Sequence, residues 1–200
     1  MTTPNQSRLT PVPFDQWDDE TRRALLAHLR RPEHYLSGAS DAPPMPLVME
    51  LFAHHVPVTE TFMSFTDVLA GDRATLEPRL RELLILRVAW RTRSGYEWNQ
   101  HARMGRDEGL TEAQVRSIPQ GAAAGIWTAD EGALLAAVDE MTDRFEISDD
   151  TWHRLTASFA TPQLIEILFV VGGYLCLAAV LNSIGLRDRI DAPADTGNGA

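Results

Sequence analysis

Apolar residues along the chain recur at spacings of three and four, and the strict alternation of a half-buried strand is almost absent, so the sequence predicts an all-α fold of about eight helices. A first helix is expected in "DDETRRALLAHLRR", followed by the Pro/Ser/Gly-rich connection "PEHYLSGASDAPPMP". Shorter helices are expected around residues 47–54 and 58–70, on either side of Pro57. After Gly71 the run "EPRLRELLILRVAWRTR" reads as a nearly all-apolar helix, and the next, from about Gly95, stops at Gly109 as a C-cap. Thr111 with Gln114, and Thr128 with Glu131, fit capping boxes that open two more helices. Ser148 starts another, and Thr161-Pro162 opens the last, with proline in its favoured first turn. The organisation expected is an N-terminal helix and connection over 1–46, a helical domain over 47–186, and a disordered tail over 187–200.

One stretch of that pattern changes the picture. Residues 167–186, "ILFVVGGYLCLAAVLNSIGL", are uncharged for 20 positions, which is the length of a bilayer span. Gly172-Gly173, Asn182, Ser183 and the lack of a flanking aromatic belt favour a core helix instead. The balance of 28 acidic against 18 basic residues, a formal charge of -10, argues against nucleic acid and against an anionic membrane surface as partners. Every basic residue is arginine, so lysine-dependent Schiff-base chemistry is excluded. A single cysteine, Cys176, excludes an internal disulfide and a two-cysteine redox cycle within one chain. Met1 is followed by polar residues without a signal-peptide pattern, so a cytoplasmic location is expected.

Candidate chemistry centres on "SGYEWNQH", residues 94–101, where Ser94, Glu97 and His101 fall along one helical stripe. Ser94 and Glu97 also satisfy the pattern of a capping box, which would account for both without any function. Glu97 lies four residues before His101 and is placed to orient its ring. Glu82 shares a helix face with Ile85, Leu86 and Ala89, so its carboxylate is either paired, with Arg79 or Arg87 for example, or shifted upward in pKa. No cysteine cluster or H-x-x-x-H pattern suggests a metal, and His54-His55 face different directions. Between residues 79 and 106 seven arginines meet two glutamates, a local charge of +5. That contrast suits an anionic ligand or an acidic neighbouring subunit; acidic helices of the same fold are the plainer explanation.

The segment "RLRELLILRVAWRTRSGYEWNQHARMGRDEGLT" resembles the core motif of the carboxymuconolactone decarboxylase family, whose fold is shared with alkylhydroperoxidase-D-like proteins. "FDQWDDETRRAL", "ISDDTWHRL" and "GGYLCLAAVLNSIGL" resemble a longer subgroup of that family. The resemblance implies an alkylhydroperoxidase-D-like helical bundle. In the peroxidase branch a glutamate, a C-x-x-C pair and a histidine do the work, and these positions fall here on Glu82, Ser94 with Glu97, and His101. Both sulfurs are missing, so a thiol peroxidase is not expected. What remains is a proton-handling set, with Glu82, Glu97 and His101 as the candidate catalytic residues. Ser94, Tyr96, Trp98, Arg87, Arg91, Tyr174 and Asn182 are the candidate substrate-binding residues, with core packing the alternative for Trp98 and core hydrogen bonding for Tyr174 and Asn182.

Three functions stay open. The first is a cofactor-free lyase (decarboxylase) or isomerase on a small, anionic carboxylated or lactone substrate, held by Arg87 or Arg91 while His101 moves a proton. The second is the same fold recruited to a dehydration or ring rearrangement in a biosynthetic pathway. The third is a non-catalytic ligand-binding or assembly protein, which a solvent-exposed His101 would favour. Related family members form dimers, trimers or hexamers, and helices apolar on more than one face give the sequence its own reason to expect a homo-oligomer.

Overall fold

The computed structural model describes residues 7–29, 31–36 and 43–186. These contain α-helices and short 3-10 turns and no strand, as the hydrophobic spacing predicts. The chain forms two compact units that divide after Arg73, whereas the sequence reading put its boundary at residue 46. The expected tail lies outside the described residues, as do residues 37–42 of the expected connection.

The first unit, Ser7–Arg73, holds α1 (Asp19–Leu26), α2 (Pro32–Leu36), α3 (Leu47–Phe52) and α4 (Val56–Ala70). α1 starts at Asp18, whose carboxylate accepts from the Thr21 amide at 2.8 Å, and it ends earlier than its sequence pattern suggests. α2 lies in the stretch read as pure connection, because Pro32 is suited to a first helical turn. Backbone bonds explain where the division falls: the Val12 amide donates to the Glu50 carbonyl at 3.0 Å, and His54 Nε2 lies 2.7 Å from the Thr10 carbonyl. Both tie α3 and its C-terminal turn to the N-terminal strap, so the connection does not separate them.

The second unit, over residues 74–186, is organised around α5 (Pro78–Thr92). Every residue of α5 from Arg81 to Ala89 is buried, since α6 (Gly95–Asp107), α8 (Ala129–Arg144) and α10 (Thr161–Ile184) all pack on it. α7 (Glu112–Ser117) and α9 (Asp149–Ser158) complete the unit. Both expected capping boxes are formed, Thr111 with Gln114 and Thr128 with Glu131, and the Ser148 hydroxyl caps α9. α5 ends as Arg93 turns left-handed at φ 56°, and the Ser94 amide folds back onto the Ala89 carbonyl at 2.9 Å. α6 therefore returns against α5, and Leu83, Leu86, Ala89, Trp98, Ala102, Leu110 and Val115 close into one apolar core.

α10 lies alongside α5 and is fixed at both ends. Glu166 accepts from the amides of Thr75 and Leu76 at 2.7–2.9 Å, and Asn182 Nδ2 donates to the Thr92 carbonyl at 2.9 Å. It is long and apolar enough to cross a membrane. Here Leu164, Ile167, Val171, Ala178 and Leu181 are buried in the protein, while Ile165, Phe169 and Val180 remain exposed.

The positive stretch of α5 is neutralised inside the chain. Arg79 pairs with Glu131, Arg91 with Asp139 and Asp143, and Arg87 grips Asp139 through Nε and Nη2 at 2.7 and 2.8 Å. Arg87 Nη1 also donates to the carbonyls of Ile118 and Pro119 at 2.7 and 3.0 Å. Gly121, at φ 60°, makes room for this guanidinium; a Cβ there would lie 2.6 Å from Nη2. The plainer explanation of the local charge, acidic helices of the same fold, accounts for these three arginines.

Candidate functional site

Glu82 occupies the second turn of α5, where all faces are covered, and is 1% exposed. α6 returns along that helix and brings His101 opposite it, so that His101 Nδ1 lies 2.7 Å from Glu82 Oε2. With the carboxylate as acceptor, Nδ1–H donates and the ring is held with Nε2 pointing away from α5. Among the described residues no hydrogen bond reaches Nε2. The expected partners of Glu82 are engaged elsewhere, Arg79 on Glu131 and Arg87 on Asp139. Glu82 is instead the carboxylate that orients His101, the role that spacing assigned to Glu97.

The opposite side of the histidine is formed by α10. Tyr174 meets the His101 ring edge-on, with centroids 5.1 Å apart and planes at 88°. Burial raises the Tyr174 phenol above its ordinary value, and the charges of Glu82 and Glu97 raise it further. The hydroxyl is therefore a donor and not a phenolate at neutral pH.

Glu97 lies one turn before His101 on α6 and is 2% exposed. The expected capping box does not form: Ser94 is the N-cap residue, at φ -82° and ψ 88°, but its side chain caps no amide. The tight reversal from Arg93 turns the Ser94 side chain inward, and it is fully buried. Ser94 Oγ and both Glu97 carboxyl oxygens are buried without a hydrogen-bond partner. Burial pushes the Glu97 carboxyl up to about 8, with Ser94 near enough to draw it slightly back without completing a bond. Glu97 is thus a neutral carboxylic acid at pH 7.

A buried acid of this kind makes stability depend on pH. Its folded value of about 8 exceeds the ordinary 4.5, so its contribution is fully present below about pH 4.5 and is lost as pH rises through about 8. Glu97→Gln keeps the shape and cannot ionise. The stability of the native chain relative to Glu97→Gln should fall by on the order of a few kcal/mol between about pH 5 and about pH 9, measured by urea unfolding. A difference that stays constant over that range would show Glu97 to be ionised in the fold.

The remaining candidates divide. Asn182 reaches the same corner, since its Nδ2 bonds Thr92, two residues before Ser94, and its Oδ1 is buried without a partner. Trp98 packs against Trp90 in the apolar core, with ring centroids 5.6 Å apart and planes tilted by 58°. Tyr96 is half-buried beside Glu97 in sequence. Arg87 and Arg91 spend their guanidinium groups on Asp139, Asp143 and backbone carbonyls, so neither is turned to Glu82 and His101. The cation that is there is Arg81, 7% exposed, with Nε 3.9 Å from Glu82 Oε1. Arg81 is not among the sequence candidates: its helical position does not set it apart from the other six arginines between 79 and 106.

Two clefts open elsewhere. One of about 370 Å³ in the first unit is lined by Asp18, Glu20, His54, His55 and Pro57 among others, and one of about 230 Å³ by Trp98, Ala102, Arg106, Glu112 and Arg116 among others. Glu82, Glu97 and His101 line neither. Among the described residues no group of three or more His, Cys, Asp or Glu side chains is arranged to hold a metal ion.

Residues 57–140, which contain Glu82, Glu97 and His101, match the carboxymuconolactone decarboxylase family. No curated protein matches the chain. Solved structures share its fold, two of them over almost its whole length. One is an uncharacterized peroxidase-related protein with an alkylhydroperoxidase AhpD core from Ralstonia eutropha JMP134, at 17% identity, covering 90% of this chain and 91% of that one, with a TM-score of 0.73. The other is an uncharacterized peroxidase-related protein from Silicibacter sp. TM1040, at 19% identity, covering 92% and 93%, also with a TM-score of 0.73.

Proposed function

We propose that this chain, a member of the carboxymuconolactone decarboxylase family through its residues 57–140, is a cofactor-independent acid–base enzyme, a decarboxylase or isomerase of a small carboxylated or lactone substrate. The observation that carries this reading is the buried 2.7 Å bond between Glu82 and His101. A histidine held in one tautomer by a carboxylate is a proton carrier with its other nitrogen directed at the substrate. Tyr174 and the neutral Glu97 supply donors beside it, and Arg81 supplies the positive charge that an enolate-like intermediate requires after loss of carbon dioxide or of a proton. A thiol route is not available within one chain, because Ser94 and Glu97 stand where a cysteine pair would and Cys176 is the one cysteine. His101 is only 8% exposed, which supports an enclosed reactive site over a merely capped helix. Lactones and unsaturated acids, screened for carbon dioxide release and for deuterium uptake from heavy water, test the reaction class; a chain inert in both assays contradicts it.

Self-association belongs to the same proposal. One face of α10 presents Ile165, Phe169, Cys176 and Val180 to solvent, and residues 167–186 carry no charge. An assembly of two or more copies through this face would cover it. Sedimentation at micromolar concentration is expected to show a stable oligomer, and Phe169→Glu to shift it toward monomer; a native monomer would refute this part.

A further inference from the structure

Four side-chain oxygens at one corner of the second unit lack partners: Ser94 Oγ, both carboxyl oxygens of Glu97, and Asn182 Oδ1. Ser94 and Glu97 form the first turn of the 13-residue α6, and Asn182 is fastened to the chain two residues upstream of Ser94. Buried oxygens are rarely left unpaired, because each forfeits its hydration without compensation. Elsewhere the unit satisfies such groups thoroughly; Glu140 alone takes the Ser148 amide, the Ser148 hydroxyl and the Thr151 hydroxyl. The unpaired set is thus local: Ser94 and Glu97 stand at the N-terminus of α6, and Asn182 stands in the last turn of α10, bonded to a carbonyl at the end of α5.

We infer that this corner is a binding site for a carboxylate, in which Glu97 acts as a protonated hydrogen-bond donor, Ser94 as a second donor, and Asn182 Oδ1 as acceptor for a hydroxyl on the same ligand. The inference rests on the proposed acid–base function and deepens it, since it names a substrate with a carboxylate and an adjacent hydroxyl or enol. Glu97 is a substrate-holding acid in this arrangement and not a second base. The ligand is held by these hydrogen bonds, while Arg81 stays with Glu82 on α5. Two carboxyl groups facing each other share a proton favourably and repel when both are ionised, so binding requires the proton on Glu97. Ser94 on α6 lies beside it, Tyr174 on α10 senses its charge together with those of Glu82 and Arg81 on α5, and Glu82 is in turn bonded to His101 on α6. Raised by its burial, the Glu97 carboxyl keeps its proton to about pH 8.

The test uses the full chain with glycolate, and with acetate as the ligand lacking the hydroxyl, and measures affinity by nuclear magnetic resonance titration. Affinity for both is expected to drop about tenfold or more from about pH 6 to about pH 9. Glu97→Gln is expected to remove that drop, and Asn182→Ala to remove the preference for glycolate over acetate. A pH dependence unchanged in Glu97→Gln, or no binding of either acid, overturns the site. Should Glu97→Gln fail to fold, infrared spectroscopy of the native chain decides: its protonated carboxyl band is expected to shift on adding glycolate, and a band that does not move overturns the inference. These readouts involve no turnover, so their failure is separate from a failure of the proton-transfer reading, which His101 variants address.

Discussion

His101→Ala should reduce turnover of a substrate found by the lactone and unsaturated-acid screen by about 10²–10⁴-fold while leaving the helical fold in place. The loss follows from the geometry, because His101 is the one ring that Glu82 orients, at 2.7 Å. Glu82→Gln should reduce turnover less, since an amide oxygen still accepts a hydrogen bond from Nδ1–H and holds the ring but brings no negative charge to the imidazolium formed during proton transfer. Added imidazole is expected to restore part of the activity of His101→Ala. A His101→Ala chain with full activity would make the histidine a core residue and remove it from the reaction.

The largest effect on stability is expected at Arg87. Its guanidinium is 5% exposed and holds Asp139, the Ile118 carbonyl and the Pro119 carbonyl at once. Arg87→Ala leaves the Ile118 and Pro119 carbonyls without their donor and leaves Asp139, 26% exposed, with Arg91 alone, so the expected cost is about 3 kcal/mol, the low end for a broken buried pair. Gly121→Ala attacks the same knot from the other side, through a Cβ 2.6 Å from Nη2 at a positive φ of 60°. Both variants should shift thermal unfolding downward by many degrees, and the double variant should lose less than the sum, because each releases the same contacts. If Arg87→Ala unfolds at the native temperature, the arginine is not a brace, and its reading as a ligand-holding group returns.

Local rules made the helix starts legible. Thr111, Thr128, Ser148 and Pro162 mark first turns through bonds that reach no further than three residues, so sequence alone resolves them. The same rule misled at Ser94, where the pattern is present but the preceding left-handed Arg93 turns the hydroxyl inward. Glu82 and His101 were identifiable because their positions coincide with a family motif. Which carboxylate holds the ring depends on how α6 folds back on α5, and helical spacing favoured Glu97 only because it counts neighbours along one helix. For the arginines the missing information was long-range too: nothing local shows that Arg87 meets Asp139 of α8 while Arg81 lies beside Glu82.

The ladder between α5 and α8 also constrains how the site can open. Arg79 meets Glu131, Arg87 meets Asp139, and Arg91 meets Asp143, three rungs with one shared sequence offset of 52 (131 − 79, 139 − 87, 143 − 91). Two parallel helices joined at a constant offset can tilt together, but a slip of one turn would set Arg87 against Leu135 in one direction or Leu83 against Asp139 in the other. Such a slip would strand charge in apolar surroundings, so shear between these helices is closed to the protein. The opposite wall, where Tyr174 meets His101, is carried by α10, which apolar packing on α5 and hydrogen bonds near both its ends hold within the same unit. The Glu82–His101 pair thus sits between two braces, one ionic and one apolar.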